Sequence, residues 1–164
     1  MPTQEKYKLQ RLLEMRERAR DQSALHLAGC REQLRLAEAE LEERKSAVDN
    51  CRKEQTETQA EMIKKSGGGI RSTEIVRYRQ HLKDLREKEI RLQNLAAEQE
   101  TVVRRAEQTV EKALLALAEA SKETKVIEKH RENWQTAKKT EADRREQKTG
   151  DEIGAILHEQ RKFE

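Results

Sequence analysis

Three sets of residues in this chain have types and spacing that could do chemistry. The stretch "IKKSGGGIRS", Ile63 to Ser72, sets three consecutive glycines beside two lysines, the raw material of a phosphate cradle. Two cysteines, Cys30 and Cys51, are candidates for a disulfide or a reactive thiol. Four histidines, His26, His81, His130 and His158, could in principle hold a metal ion. Each possibility depends on the element that carries the residues.

None survives that test. The phosphate-loop pattern GxxxxGK[ST] is absent, and no strand-like run precedes the glycines. The cysteines are 21 residues apart. On one helix that is three heptads, which puts them on the same face about 31 Å apart. A disulfide within the chain would need Cα atoms within about 7 Å. Both cysteines are therefore expected to be small buried hydrophobes in a reducing compartment. No two histidines stand four residues apart, so no helical metal pair exists.

Composition points to long helices. Of 164 residues 41% are charged, 34% apolar and only 2% aromatic, thin material for a globular core. The single proline is Pro2, so the interior lacks that helix breaker, and the dominant residues are strong helix formers. The 35 basic and 32 acidic residues give a net charge of only +3, which disfavours a dedicated nucleic-acid binder. The longest apolar run, "ALLALA" from Ala113 to Ala118, is far short of the ~20 residues that span a bilayer. Charges crowd the N-terminus where a signal peptide needs apolar residues, so a cytosolic protein is expected.

Periodicity then gives the glycines their meaning. Before them an apolar seam runs Leu27, Cys30, Leu34, Ala37, Leu41, Arg44, Val48, Cys51, Gln55, Thr58 and Met62, in alternating steps of three and four. After them a second seam begins Ile75, Tyr78, Leu82, Leu85, Glu89, Leu92, Ala96, Gln99, Val103 and Ala106. It continues in phase through Val110, Ala113, Leu117, Ala120, Thr124, Ile127 and Arg131 to Trp134. A disordered chain would not keep phase for about eight heptads. Each seam needs a partner, and the short glycine connection makes the other seam the nearest one. Glycine permits the left-handed backbone that ends a helix, Ser72 or Thr73 can cap the next, and Glu74 favours its first turn.

The expected fold is therefore all-α: a long antiparallel two-helix coiled-coil hairpin with an extended C-terminal helical overhang. It forms a single domain over residues 1–164. Helix one is expected over about 3–65, the tip loop over 66–71, helix two over about 72–149 and a tail helix over about 151–162. A tip near Gly68 pairs residues whose numbers sum to about 136. Arg131 then faces Glu5, Arg44 lies within a turn of Glu89, and Met1 and Pro2 sit beside Trp134. Gly150 is expected to break or weaken the helix, with Asp151 capping a short new one. In that tail Ile153, Ile156, Leu157 and Gln160 share a face, with Phe163 close to it, which makes a docking stripe. Trp134, the only tryptophan, is either a plug closing the seam or an anchor for another protein.

One narrow buried stripe leaves no sheltered concavity for preorganised catalytic groups, so neither enzyme activity nor a small-molecule substrate or cofactor is expected. Charge is uneven: residues 1–20, 60–80 and 128–148 carry net excesses of +3, +3 and +2. Basic ends suit acidic surfaces of larger partners.

The C-terminal third resembles a known family. "EKHRENWQTAKKTEADRREQKTGDEIG" is similar to the end of the FliJ/YscO family, stalk proteins of type III secretion systems. The matching features are Glu128-Lys129, then Glu132 and Trp134, a charged run, and Asp151-Glu152-Ile153. "IGAILHEQRK", Ile153 to Lys162, resembles the injectisome members more than the flagellar ones. Thr149-Gly150 departs from the family, which keeps helix formers there. The resemblance implies a noncatalytic cytoplasmic stalk, peripheral to the secretion apparatus at the inner membrane and not inserted in it. Its implied partners are the hexameric secretion ATPase, the cytoplasmic domain of the export gate, and secretion chaperones. Ring contact then falls to the end carrying both termini: Lys6, Arg11, Trp134, Lys138, Arg144, Arg145, Asp151, Glu152 and Ile153. The tip contact, to the gate or a chaperone, falls to Met62, Tyr78, His81 and Leu82. The competing expectations are a generic coiled-coil spacer or adaptor, and a basic helical arm on nucleic acid whose binding would fall steeply with salt.

Overall fold

Heptad phase is realised almost residue for residue. A computed structural model describes residues 6–161 and contains two helices, α1 (Gln10–Ser66) and α2 (Ser72–Arg161), packed against each other as an all-α hairpin. Among the described residues there is no strand. All the seam positions named above, from Leu27 to Met62 and from Ile75 to Trp134, are buried or half-buried. The phase also extends further back than the apolar residues show, because Ser23, Arg20 and Arg16 are half-buried and Leu13 is wholly buried. Sequence reading missed that stretch because arginine and serine occupy it.

Gly67–Arg71 make the reversal. Gly69 has a φ of +90°, a region in which a side chain would be strained. The Gly67 and Gly68 amides donate to the carbonyls of Ile63 and Lys65, closing α1. The Arg71 carbonyl accepts from the Glu74 and Ile75 amides at 3.0 and 3.2 Å, so Arg71 occupies the cap position. Ser72, expected as a cap, is instead the first helical residue. Lys64 and Lys65 in the last turn of α1 and Glu74 in the first turn of α2 each complement the local helix dipole.

The described residues form two compact units: those up to Ala24 with those from Ala116 onward, and Leu25–Leu115. The second, the turn unit, buries Leu27, Cys30, Ala37, Val48, Cys51, Leu85, Ala96, Gln99, Val103 and Ala113. Both cysteines are free thiols. Polar members of this seam bond to backbone carbonyls of the opposite helix. Gln99 Nε2 donates to Ala37 O (3.0 Å), Arg44 Nη1 to Leu95 O (2.8 Å), and Cys51 Sγ and Gln55 Nε2 to Leu85 O (both 3.4 Å). A carbonyl has two lone pairs, so it accepts these donors without leaving its own helix. Buried polar groups are satisfied in this way.

The register differs from the expected one. Pairs across the turn unit run from Glu54 with His81 to Lys45 with Glu100, whose numbers sum to 135 and 145. The centre is therefore about 140, because the turn pivots on Gly69 and reaches Arg71. As a result Arg44 does not meet Glu89. Arg44 pairs with Glu40, and Glu89 accepts from Arg52 at 2.7 Å and Gln55 at 2.8 Å. Those donors hold the Glu89 carboxyl below its ordinary range, the Arg52 guanidinium foremost.

In the terminal unit, Tyr7, Leu13 and Thr124 are buried. Thr124 Oγ1 lies 2.8 Å from Ala120 O and 3.2 Å from Arg16 O, and Arg16 pairs with Glu123. Helix one starts at Gln10, not near residue 3. Lys6–Leu9 are non-helical, and the Gln10 amide donates to Tyr7 O at 3.1 Å. The expected contacts of Glu5, Met1 and Pro2, and Phe163 beside the tail stripe, lie outside the described residues.

The expected break at Gly150 does not occur, since α2 is one helix through Gly150 and Gly154 to Arg161. An interior glycine costs a helix about 1 kcal/mol relative to alanine, which weakens but does not stop it. Local pairs offset part of that cost: Lys138 and Arg145 each with Glu141, Lys148 with Glu152, and Thr149 Oγ1 donating to Arg145 O. Every described residue from Gln135 onward is exposed.

Candidate partner-binding surfaces

Two places gather the residues singled out from sequence. The first is in the terminal unit. Tyr7 Oη and His130 Nδ1 are 2.7 Å apart, and the Tyr7 ring lies 5.7 Å from His130 and 5.5 Å from Trp134, tilted in both cases. Trp134 is half-buried under that contact. It therefore has both a packed and an exposed side, which suits a seam plug and leaves part of the indole accessible. Tyr7 was invisible to the sequence reading, which placed Met1 and Pro2 here. The register displacement of about one turn explains the miss.

Beyond Trp134 every described side chain is exposed. Lys6, Arg11, Lys138, Arg144, Arg145, Asp151, Glu152 and Ile153 are all exposed. Lys138, Arg145 and Glu152 are engaged in the ion pairs described above, whereas Arg144 makes none among the described residues. Such exposed pairs contribute at most about 1 kcal/mol each and yield readily to a partner. Ile153, Ile156 and Leu157 are 53–56% exposed. Arg131 Nε, a buried atom of a half-buried side chain, has no hydrogen-bond partner among the described residues.

The second place is the turn unit near the reversal. Met62 and Leu82 are half-buried seam residues, so they contribute to packing before any contact. Tyr78 and His81 instead line an open groove of about 290 Å³ together with Lys65, Glu74 and Arg77. Lys65 Nζ donates to Tyr78 Oη at 2.7 Å and pairs with Glu61 at 2.8 Å. It also stands 5.4 Å from the centre of the Tyr78 ring. These bonds, that to Glu61 first, hold Lys65 above the ordinary lysine range and Glu61 below the ordinary carboxylate range. His81 Nε2 is 3.8 Å from Glu54. Sequence reading missed Lys65, the next step of three after Met62, which the reversal brings beside Tyr78, and Arg77, which lies outside the seam next to Tyr78 on α2.

Among the described residues, no group of three or more His, Cys, Asp or Glu side chains is placed to hold a metal ion. No described helix is long and apolar enough to cross a membrane. A family model described as YscO-like protein matches residues 4–163, essentially the whole chain. The protein belongs to the YscO-like family. Membership associates it with type III secretion. The fold agrees with a solved YscO-like structure, that of a chain from Chlamydia trachomatis described as a YscO homolog, CT670. The likeness has a TM-score of 0.76 at 23% identity over 98% of this chain and 99% of that one, and it carries the fold alone. No curated protein matches the chain.

Proposed function

We propose that this YscO-like protein is a non-enzymatic stalk and escort component of a type III protein secretion apparatus. It works in the bacterial cytoplasm, peripheral to the apparatus at the inner membrane. Its terminal unit enters the ring of the hexameric secretion ATPase, the reversal contacts the export gate, and free secretion chaperones bind it for recycling. The observation that carries this reading is the family match over residues 4–163 on a chain whose described residues 135–161 are all exposed. An exposed helix of that length gains little from burial within the chain, and a surrounding ring would supply further contacts. Lys6, Arg11, Lys138, Arg144 and Arg145 supply positive charge there, Trp134 a half-buried anchor, and Asp151, Glu152 and Ile153 a mixed end. Two helices also lack sixfold symmetry, so within a ring they would favour some subunit interfaces over others and bias assembly and turnover.

The test is co-purification with a candidate secretion ATPase, followed by hexamer formation and ATP turnover. Replacing Lys138, Arg144 and Arg145 together by glutamine removes charge without setting new carboxylates beside Glu141. The expected result is loss of ATPase stimulation with helicity retained by far-UV circular dichroism; undiminished stimulation refutes the assignment.

A further inference from the structure

The groove beside the reversal has a chemical character that the family reading does not specify. Lys65, Arg77 and His81 line it, with Tyr78 between them and a single carboxylate, Glu74, on its wall. Lys65 is already pinned to Tyr78 and Glu61, so its ammonium is held in place at the groove. Arg77 makes no ion pair among the described residues, which leaves a guanidinium fork open to a planar carboxylate. The groove also lies along the opening turns of α2, whose dipole favours negative charge. Lys64 and Arg71, both exposed, add charge around it, and residues 60–80 carry five basic groups against two acidic ones.

We infer that the groove lined by Lys65, Arg77, Tyr78 and His81 docks an acidic segment of a partner protein. Arg77 takes one carboxylate as a bidentate pair, and the Lys65 ammonium, which has a third proton beyond those given to Tyr78 and Glu61, donates to a second. Charge complementarity selects this occupant: with Glu74 on the wall and Glu61 paired to Lys65, residues 60–80 still carry an excess of three basic groups, and Arg77 makes no ion pair among the described residues. This deepens the contact assigned above to the reversal and rests on that reading.

The test uses the full chain and a fluorescein-labelled peptide of alternating glutamate and leucine, with a glutamine–leucine peptide as control. Anisotropy is expected to show binding of the acidic peptide that weakens as salt rises. Arg77→Glu should weaken it at least tenfold with unchanged helicity, because Arg77 has no ion pair to lose. Lys65→Gln should weaken it by a smaller factor. Equal binding by the Arg77→Glu variant, equal binding of the glutamine peptide, or a loss caused instead by reversing Arg144 and Arg145 would overturn the inference. So would displacement of the peptide by phosphatidylglycerol vesicles but not by excess unlabelled acidic peptide, since the surface would then belong to a membrane. Arg77→Glu should leave stimulation of a secretion ATPase intact. Failure of the peptide with stimulation preserved therefore removes only this inference, whereas absent stimulation by the unaltered chain removes the stalk reading and not the groove.

Discussion

Leu13 offers the sharpest test of how the terminal unit is held together. Its side chain is 0% exposed, while Leu12, beside it in sequence, is 37% exposed and Leu115 is 67% exposed. Removing a fully buried leucine forfeits transfer free energy and leaves a cavity; in well-packed cores the cost is about 3–5 kcal/mol. A seam between two helices is open at its flanks, so the gap can partly collapse or fill with water. The low end, about 2.5–3 kcal/mol, is therefore expected for Leu13→Ala. Leu12→Ala should cost well under half of that, and Leu115→Ala close to nothing. Urea titration should be followed by two probes, because two compact units need not unfold as one. Trp134, the only tryptophan, reports the terminal unit through its contact with Tyr7, while far-UV circular dichroism reports total helix. Leu13→Ala should move the fluorescence midpoint first and furthest. If it costs under about 1 kcal/mol, or no more than Leu12→Ala, the claim that burial along one seam stabilises this unit is wrong.

Two further outcomes follow from particular groups. The Glu89 carboxyl has its folded-state pKa lowered by Arg52 and Gln55, so the folded state holds its proton less tightly than the unfolded state does. Its contribution is therefore complete above the ordinary glutamate value of 4.5 and lost as pH falls through the lowered one; Glu89→Gln should flatten the melting temperature against pH in that acid range, and an unaltered slope counts against the pair. Gly150 and Gly154 lie in a continuous helix with open space where a Cβ would go, so Gly150→Ala and Gly154→Ala should each stabilise the tail by about 1 kcal/mol. Slower amide exchange over residues 140–161 would show this, and unchanged or faster exchange would restore the expected break.

The glycine reversal and both seams follow from residue types and their spacing. Alternating steps of three and four confine burial to one stripe, and Gly69 alone there needed a backbone closed to other residues. The same pattern ruled out a disulfide between Cys30 and Cys51, because one helix keeps them apart. What periodicity could not supply was the offset between the helices. A heptad pattern repeats itself every two turns, so neighbouring alignments differ little in apolar matching and much in polar partners. The turn geometry chose one, giving Glu89 to Arg52 instead of Arg44 and placing Tyr7 against His130 and Trp134. The groove beside Tyr78 depends on the same choice, since Lys65 and Arg77 come from different helices. Gly150 went the other way: local propensity favoured a break, and the continuous run of helix formers and ion pairs on either side outweighed a single residue's cost. Sequence thus determines which residues are buried, because burial depends on period, and tertiary structure decides which charges meet, because that depends on phase.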